Sequence, residues 1–191
     1  HQRYIAGQDE RHLRQLTLIR DLHDAVEQHQ LTMVYQPKVL ATNGNIVQFE
    51  ALMRWEHPTL GFIPPDEFIT LAERSGNIRM LSSWVIETVC AQLHEWQTQG
   101  HNLSVAINLS AEDIMDETLT ARLKDILVRN DLVPNQLGLE VTESAIIKDP
   151  ALATRHLEEL RGAGMTLAID DFGTGYSSLA QLKRLPVQEL K

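Results

Sequence analysis

Five oxygen-bearing side chains, Glu50, Asn108, Glu140, Asp170 and Asp171, have the types and the spacing to hold a metal ion. Each sits at or just beyond a short apolar run: Val47-Gln48-Phe49 before Glu50, residues 103–107 before Asn108, Leu137-Gly138-Leu139 before Glu140, and residues 165–169 before Asp170. Asn108 and Glu140 are 32 positions apart, and Glu140 and Asp170 are 30 apart. Hard divalent cations such as Mg²⁺ or Mn²⁺ take carboxylate, amide and water oxygens, which is what this set offers. Adjacent aspartates leave the backbone in different directions, so Asp170 and Asp171 suit two ions rather than one. A pair of ions would activate a water and stabilise the leaving oxygen of a phosphodiester. Taken singly, each acid reads more readily as a helix cap or a solvated turn residue than as a ligand. The coincidence of three successive units is what favours a site.

The elements around these residues supply the reason they would meet. About 30 residues is the length of one strand plus one helix, and apolar strands alternating with helices imply a parallel sheet. The pattern places strands at 31–39, 46–55, 103–107, 137–142 and 165–169. It places helices at 8–30, from Pro64-Pro65-Asp66 to Gly76, at 81–99, at 111–130 and at 150–162. Residues 42–45, Thr-Asn-Gly-Asn, form a turn between the first two strands. Open doubly wound sheets and closed barrels share this rhythm, and both gather active sites at the carboxyl ends of the strands. The short sequence Gly173-Thr174-Gly175 is a weak phosphate-loop signal by itself. His57-Pro58 reads as a turn, and Trp84 and Trp96 read as core residues on an apolar helix face.

Bulk properties narrow the partners. The 191-residue chain is 43% hydrophobic and 23% charged, ordinary for one globular domain. Its net charge of −9 would repel a nucleic-acid backbone, so no DNA or RNA binding is expected. A phosphate ester would then need local neutralisation, for which metal ions are suited. Cys90 is the single cysteine and reads as a small buried hydrophobe, which excludes a disulfide framework and a thiolate zinc site. No signal peptide is visible in the first ten residues, and no run approaches the roughly 18 apolar residues of a membrane span. The expectation is a cytoplasmic-side location, with anchoring of a longer parent protein to the inner membrane left open.

Six motifs then occur in order: Tyr35-Gln36-Pro37-Lys38-Val39, Glu50-Ala51-Leu52-Met53-Arg54-Trp55, Pro64-Pro65-Asp66-Glu67-Phe68, Asn108-Leu109-Ser110, Glu140-Val141-Thr142-Glu143-Ser144, and Asp170-Asp171-Phe172-Gly173-Thr174-Gly175-Tyr176-Ser177-Ser178-Leu179. From about Leu31 to Lys191 the chain resembles the EAL-domain family, bacterial phosphodiesterases that linearise cyclic di-GMP to pGpG. The resemblance implies a (β/α)₈ TIM-like barrel whose first strand runs antiparallel to its neighbours. It implies metal ligation by Glu50, Asn108, Glu140, Asp170 and Asp171, with two Mg²⁺ or Mn²⁺ ions. Lys191 matches the lysine that helps hold the attacking water, and Glu143 the residue that steadies the loop after Asp171. Gln36, Leu52 and Arg54 match substrate-contacting positions; the planar fork of Arg54 suits a phosphate. Met53 replaces the commoner leucine, a nearly isosteric change.

The resemblance also sets expectations at both ends. Residues 1–30 read as a polar linker helix from an upstream GGDEF or sensory domain, and 31–191 as the EAL domain itself. Lys191 falls where a sixth strand is expected to begin. The family's remaining strands, with a further glutamate and glutamine, would lie beyond it, so the barrel is expected to be incomplete here and the polypeptide alone inactive. The resemblance is compatible with a homodimer. The rival to an enzyme is a receptor that binds cyclic di-GMP without turnover; the intact ligand set favours the enzyme.

Overall fold

Apolar residues three and four apart make a helix that buries one stripe, and the first element follows that rule. In the computed structural model, which describes residues 8–170 and 185–190, helix α1 spans Gln8–Glu27 and buries Leu18, Leu22 and Ala25. The described residues group into two units, 8–32 with 53–81, and 33–52 with 82–170 and 185–190.

In the first unit, the later half of strand β2 (Ile46–His57) pairs antiparallel with β3 (Gly61–Ile63), Trp55 opposite Ile63. Helix α2 (Pro65–Ser75) brings Phe68 edge-on to Trp55, with ring centroids 5.6 Å apart and both rings fully buried. Pro65 opens this helix where no N–H is needed, and Gly76 closes it at φ 75°, a backbone that a side chain would strain. Arg14 of α1 clasps Glu67 of α2 through two parallel bonds of 2.8 and 3.0 Å. That clasp holds the Glu67 carboxyl below its ordinary pKa. The expected turn at His57 is present. His57 Nδ1 accepts from the backbone N–H groups of Thr59 and Leu60, each at 3.2 Å, so its proton sits on Nε2 and is donated to Asp21 at 3.2 Å.

The second unit holds the sheet that positions the site. Its strands are β1 (Leu31–Val39), β2, β4 (Val105–Leu109), β5 (Leu137–Thr142), β6 (Thr166–Asp170) and β7 (Glu189–Leu190), paired in that order. Along that order, which leaves β3 aside, every pairing from β2 onward is parallel. The turn at 40–45, with Gly44 at φ 72°, is too short for a parallel crossover, so β1 runs antiparallel to β2. Among the described residues the sheet does not close on itself, as expected of an incomplete TIM-like barrel. Around it lie α3 (Ile78–Thr98), α4 (Ala111–Ile114), α5 (Leu119–Arg129), α6 (Glu143–Ile147) and α7 (Pro150–Gly162). Leu119, Leu123, Ile126 and Leu127 of α5, and Ala153, His156, Leu157 and Leu160 of α7, are their buried stripes.

Several local expectations shift. The helix expected at 111–130 is two helices, because Asp116 accepts from both the N–H and the hydroxyl of Thr118 and turns the chain between them. Short β3 and α6 lack enough residues to show a period. Strand β4 begins and ends two residues later than expected, which puts Asn108 inside it. Trp84 and Trp96 are half-buried; Trp96 packs on Tyr35 and Phe49, at 4.9 and 5.9 Å between rings. Cys90 is buried as expected, and burial pushes its thiol up to about 12, with Glu87 adding to the shift. Burial likewise pushes the Tyr35 phenol up to about 12. No helix among the described residues is long and apolar enough to cross a membrane.

The Asp21 carboxyl sits below its ordinary pKa because Arg20 and then His57 hydrogen-bond it. A lowered folded-state pKa contributes stability above the ordinary carboxylate value, about 4, and loses it as the pH falls through the lowered value. Asp21→Asn is therefore expected to cost about 1 kcal/mol at neutral pH, where the charge-assisted bonds are full strength. Thermal melts of the two chains across pH should show that gap closing below about pH 4.

Candidate metal centre

Strand side chains alternate between the two faces of a sheet, so residues two apart share a face. Asn108 lies opposite Glu140 in the β4–β5 register. Glu140 in turn lies opposite Ala168, two residues before Asp170. Glu50 lies opposite Ala106, two residues before Asn108, and the β2–β4 pairing extends no further than Glu50. All four polar residues thus share one face, staggered along the strands toward their carboxyl ends. The ligand oxygens of Glu50, Glu140 and Asp170 lie within 4.8 Å of one another. Asn108 Nδ2 donates to Glu50 Oε1 at 3.1 Å, which joins the fourth member to the cluster.

The chain is held where it leaves this rim. Ser110, directly after β4, caps α4 in a reciprocal box with Asp113. The Ser110 hydroxyl accepts from Asp113 N–H at 3.1 Å, and Asp113 Oδ2 accepts from Ser110 N–H at 2.9 Å. Ser82 of α3 donates to the same buried carboxylate at 2.6 Å. The Asn-Leu-Ser motif therefore pairs a site residue with the cap that fixes its strand end. Thr142 plays a similar part after β5, its hydroxyl accepting from Ala145 N–H at the start of α6.

Three carboxylates so close repel one another unless cations or donors offset them. Lys38 of β1 forms an ion pair with Glu140, which is only 1% exposed. The same ammonium donates to Gln48 Oε1 at 3.1 Å. A cleft of about 400 Å³ on this face is lined by Gln48, Ala106, Gly138, Glu140, Thr166 and Ala168. The donor set fits a hard divalent ion. Ligands around one octahedral Mg²⁺ stand about 3 to 4 Å apart, and the oxygens of Glu50, Glu140 and Asp170 lie within 4.8 Å of one another.

The sequence-based ligands Glu50, Asn108, Glu140 and Asp170 thus come together. Asp171, Lys191 and the Gly173-Thr174-Gly175 stretch lie outside the described residues. Glu143 is buried as the first residue of α6. Gln36 is exposed on β1, and Leu52 is half-buried on β2. Arg54 belongs to the other unit, where its Nη1 donates to the Met53 carbonyl at 2.8 Å. Lys38, Gln48 and Gly138 had no assigned role from sequence. Period-two spacing held the signal: Lys38 is two residues from Gln36, Gln48 two from Glu50, and Gly138 two from Glu140.

This largely parallel sheet of β/α units, with carboxylates gathered toward the strands' carboxyl ends where they could hold a metal ion, has the architecture of part of a TIM-like barrel. The chain belongs to the EAL domain family, whose model matches residues 19–191. It is 47% identical over 178 residues to the bifunctional diguanylate cyclase/cyclic di-GMP phosphodiesterase MucR of Pseudomonas aeruginosa, covering 93% of this chain and 26% of that protein. It is 41% identical over 176 residues to the cyclic di-GMP phosphodiesterase PdeR of Escherichia coli, covering 92% of this chain and 26% of that one. The chain therefore spans about a quarter of the length of these relatives. Among solved structures it resembles the PaMucR phosphodiesterase in complex with c-di-GMP, with a TM-score of 0.86 and 46% identity over 91% of this chain and 71% of that one.

Gly138 offers a test of how tightly this face is packed. A Cβ there would come within 2.7 Å of Gln48 Nε2, 3.1 Å of Thr166 Oγ1 and 3.3 Å of Ala106 Cβ. Gly138→Ala is expected to destabilise by about 1 to 3 kcal/mol, as overpacking does. Urea melts should show a lower midpoint; an unchanged midpoint would mean the face is looser than these distances.

Proposed function

We propose that this domain hydrolyses cyclic di-GMP to linear pGpG with Mg²⁺ or Mn²⁺, lowering the level of a bacterial second messenger. The observation that carries the reading is the convergence of Glu50, Glu140 and Asp170 within 4.8 Å, with Asn108 bonded to Glu50, in a chain of the EAL family. The c-di-GMP complex of PaMucR supports the substrate, because that protein is a structural relative at 46% identity.

Glu50, Asn108, Glu140, Asp170 and Asp171 would hold the ions, two by the count of ligands. When bound, such ions lower the pKa of a water and offset the charge that develops on the phosphodiester oxygens. Lys191 would hold the attacking water, whose oxygen bonds to phosphorus as the bond to the 3′ oxygen breaks; the proton goes to that leaving oxygen. Arg54 would grip a non-bridging phosphate pair through its planar fork. Gln36 and Leu52 would contact the dinucleotide, and buried Glu143 would anchor the segment after Asp171. The working context is a longer protein, with residues 1–30 leading from a GGDEF or sensory domain and with dimerisation open to it.

The direct assay follows linear product from cyclic di-GMP and Mn²⁺ with the chain in its complete parent domain. Product formation is expected. Binding without product would leave a receptor, and no binding would remove both readings. Glu50→Ala is expected to reduce turnover at least about a hundredfold while the melting profile stays cooperative, since it removes a ligand and a charge at a half-buried position. Turnover close to the parent value in that variant would mean the ligand assignment is wrong.

A further inference from the structure

The cluster has a built-in cation of its own. Lys38 enters from β1, the antiparallel strand, and its ammonium bridges Glu140 and Gln48. Its side chain is 17% exposed. Gln48 occupies space that exists only because position 138 has no side chain. The consecutive strands β1 and β2 and, far from them in sequence, the glycine of β5 therefore cooperate to put one positive charge on one carboxylate of the cluster.

We propose that Lys38 is a positioning residue that acts as the internal counter-ion of the metal centre and sets its affinity for divalent ions. The proposal rests on the metal reading of the cluster. With the centre empty, the ammonium offsets the repulsion among Glu50, Glu140 and Asp170. With a dication bound, the same ammonium faces a like charge across a shared carboxylate. Lys38 therefore stabilises the empty centre and weakens the filled one. Orientation acts the other way, since Lys38 also holds Glu140 still. Glu140 is already immobilised by burial, so the ordering of one side chain is the smaller effect.

A purely structural ion pair would alter melting alone; a counter-ion must alter metal affinity with a definite sign. The experiment compares the same domain as in the turnover assay with its Lys38→Gln variant, which keeps a donor for Glu140 without the charge, with Lys38→Met, which keeps length alone, and with Lys38→Arg, which keeps the charge. Mn²⁺ affinity is read by calorimetric titration, and melting temperature with EDTA and with saturating Mn²⁺. Lys38→Gln and Lys38→Met are expected to melt lower in EDTA, to show a larger Mn²⁺-induced rise, and to bind Mn²⁺ on the order of tenfold more tightly. Lys38→Arg is expected to stay near the parent on all three. Unchanged or weaker Mn²⁺ binding in a folded neutral variant overturns the proposal; if one neutral variant fails to fold, the other decides the matter. Absence of Mn²⁺ binding in the parent overturns the metal reading, and Lys38's role with it.

Discussion

Three carboxylates with oxygens inside a 4.8 Å span are the constraint around which the second unit is organised. At an effective dielectric near 20, each like-charge pair at such a distance costs about 3 to 4 kcal/mol. A sheet holds such a cluster only if its backbone leaves the acids little alternative and if positive charge or donors offset them. The parallel register meets the first need by putting Asn108, Glu140 and Asp170 on one face along successive strands. Asn108, donating to Glu50, and Lys38, paired with Glu140, meet the second.

That economy explains features that look unrelated in the sequence. The antiparallel β1 delivers Lys38 to the ligand face. Gly138 is small because Gln48, Thr166 and Ala106 converge there. The caps at Ser110 and Thr142 stop the chain from drifting where β4 and β5 end, so the rigidity of the site comes from helix starts as well as from strands. In the first unit, the Arg14–Glu67 clasp and the Asp21–His57 bond tie α1 to the elements after Trp55. Helix α1 thus shares a buried face with its own unit, whatever precedes it in a longer protein.

The long periodic elements and the acids were legible because both are local signals. Leu18 and Leu22 in α1, the stripe from Leu119 to Leu127, and the apolar cores of β4 to β6 mark their own secondary structure. The thirty-residue rhythm implies parallel strands with aligned ends. What escaped was short or depended on a neighbour: β3 and α6 have too few residues for a period, and the break at Asp116 comes from one side-chain turn. Asn108 proved to lie within its strand, a shift of two residues that local pattern does not settle.

By itself the sequence determined the family of the protein and singled out the oxygen-bearing side chains that the sheet brings together, because residue types at one-unit spacing and ordered motifs survive without coordinates. Only the tertiary structure decided how the charges are balanced. Lys38 and Glu140 are separated by about a hundred residues, and Gln48 and Gly138 by ninety, so no periodicity relates them. Their meeting follows from which strands are neighbours, and that is a property of the sheet's hydrogen-bond register rather than of any one segment. The acids could be read from the chain; the cation that tempers them could be seen only once the strands were side by side.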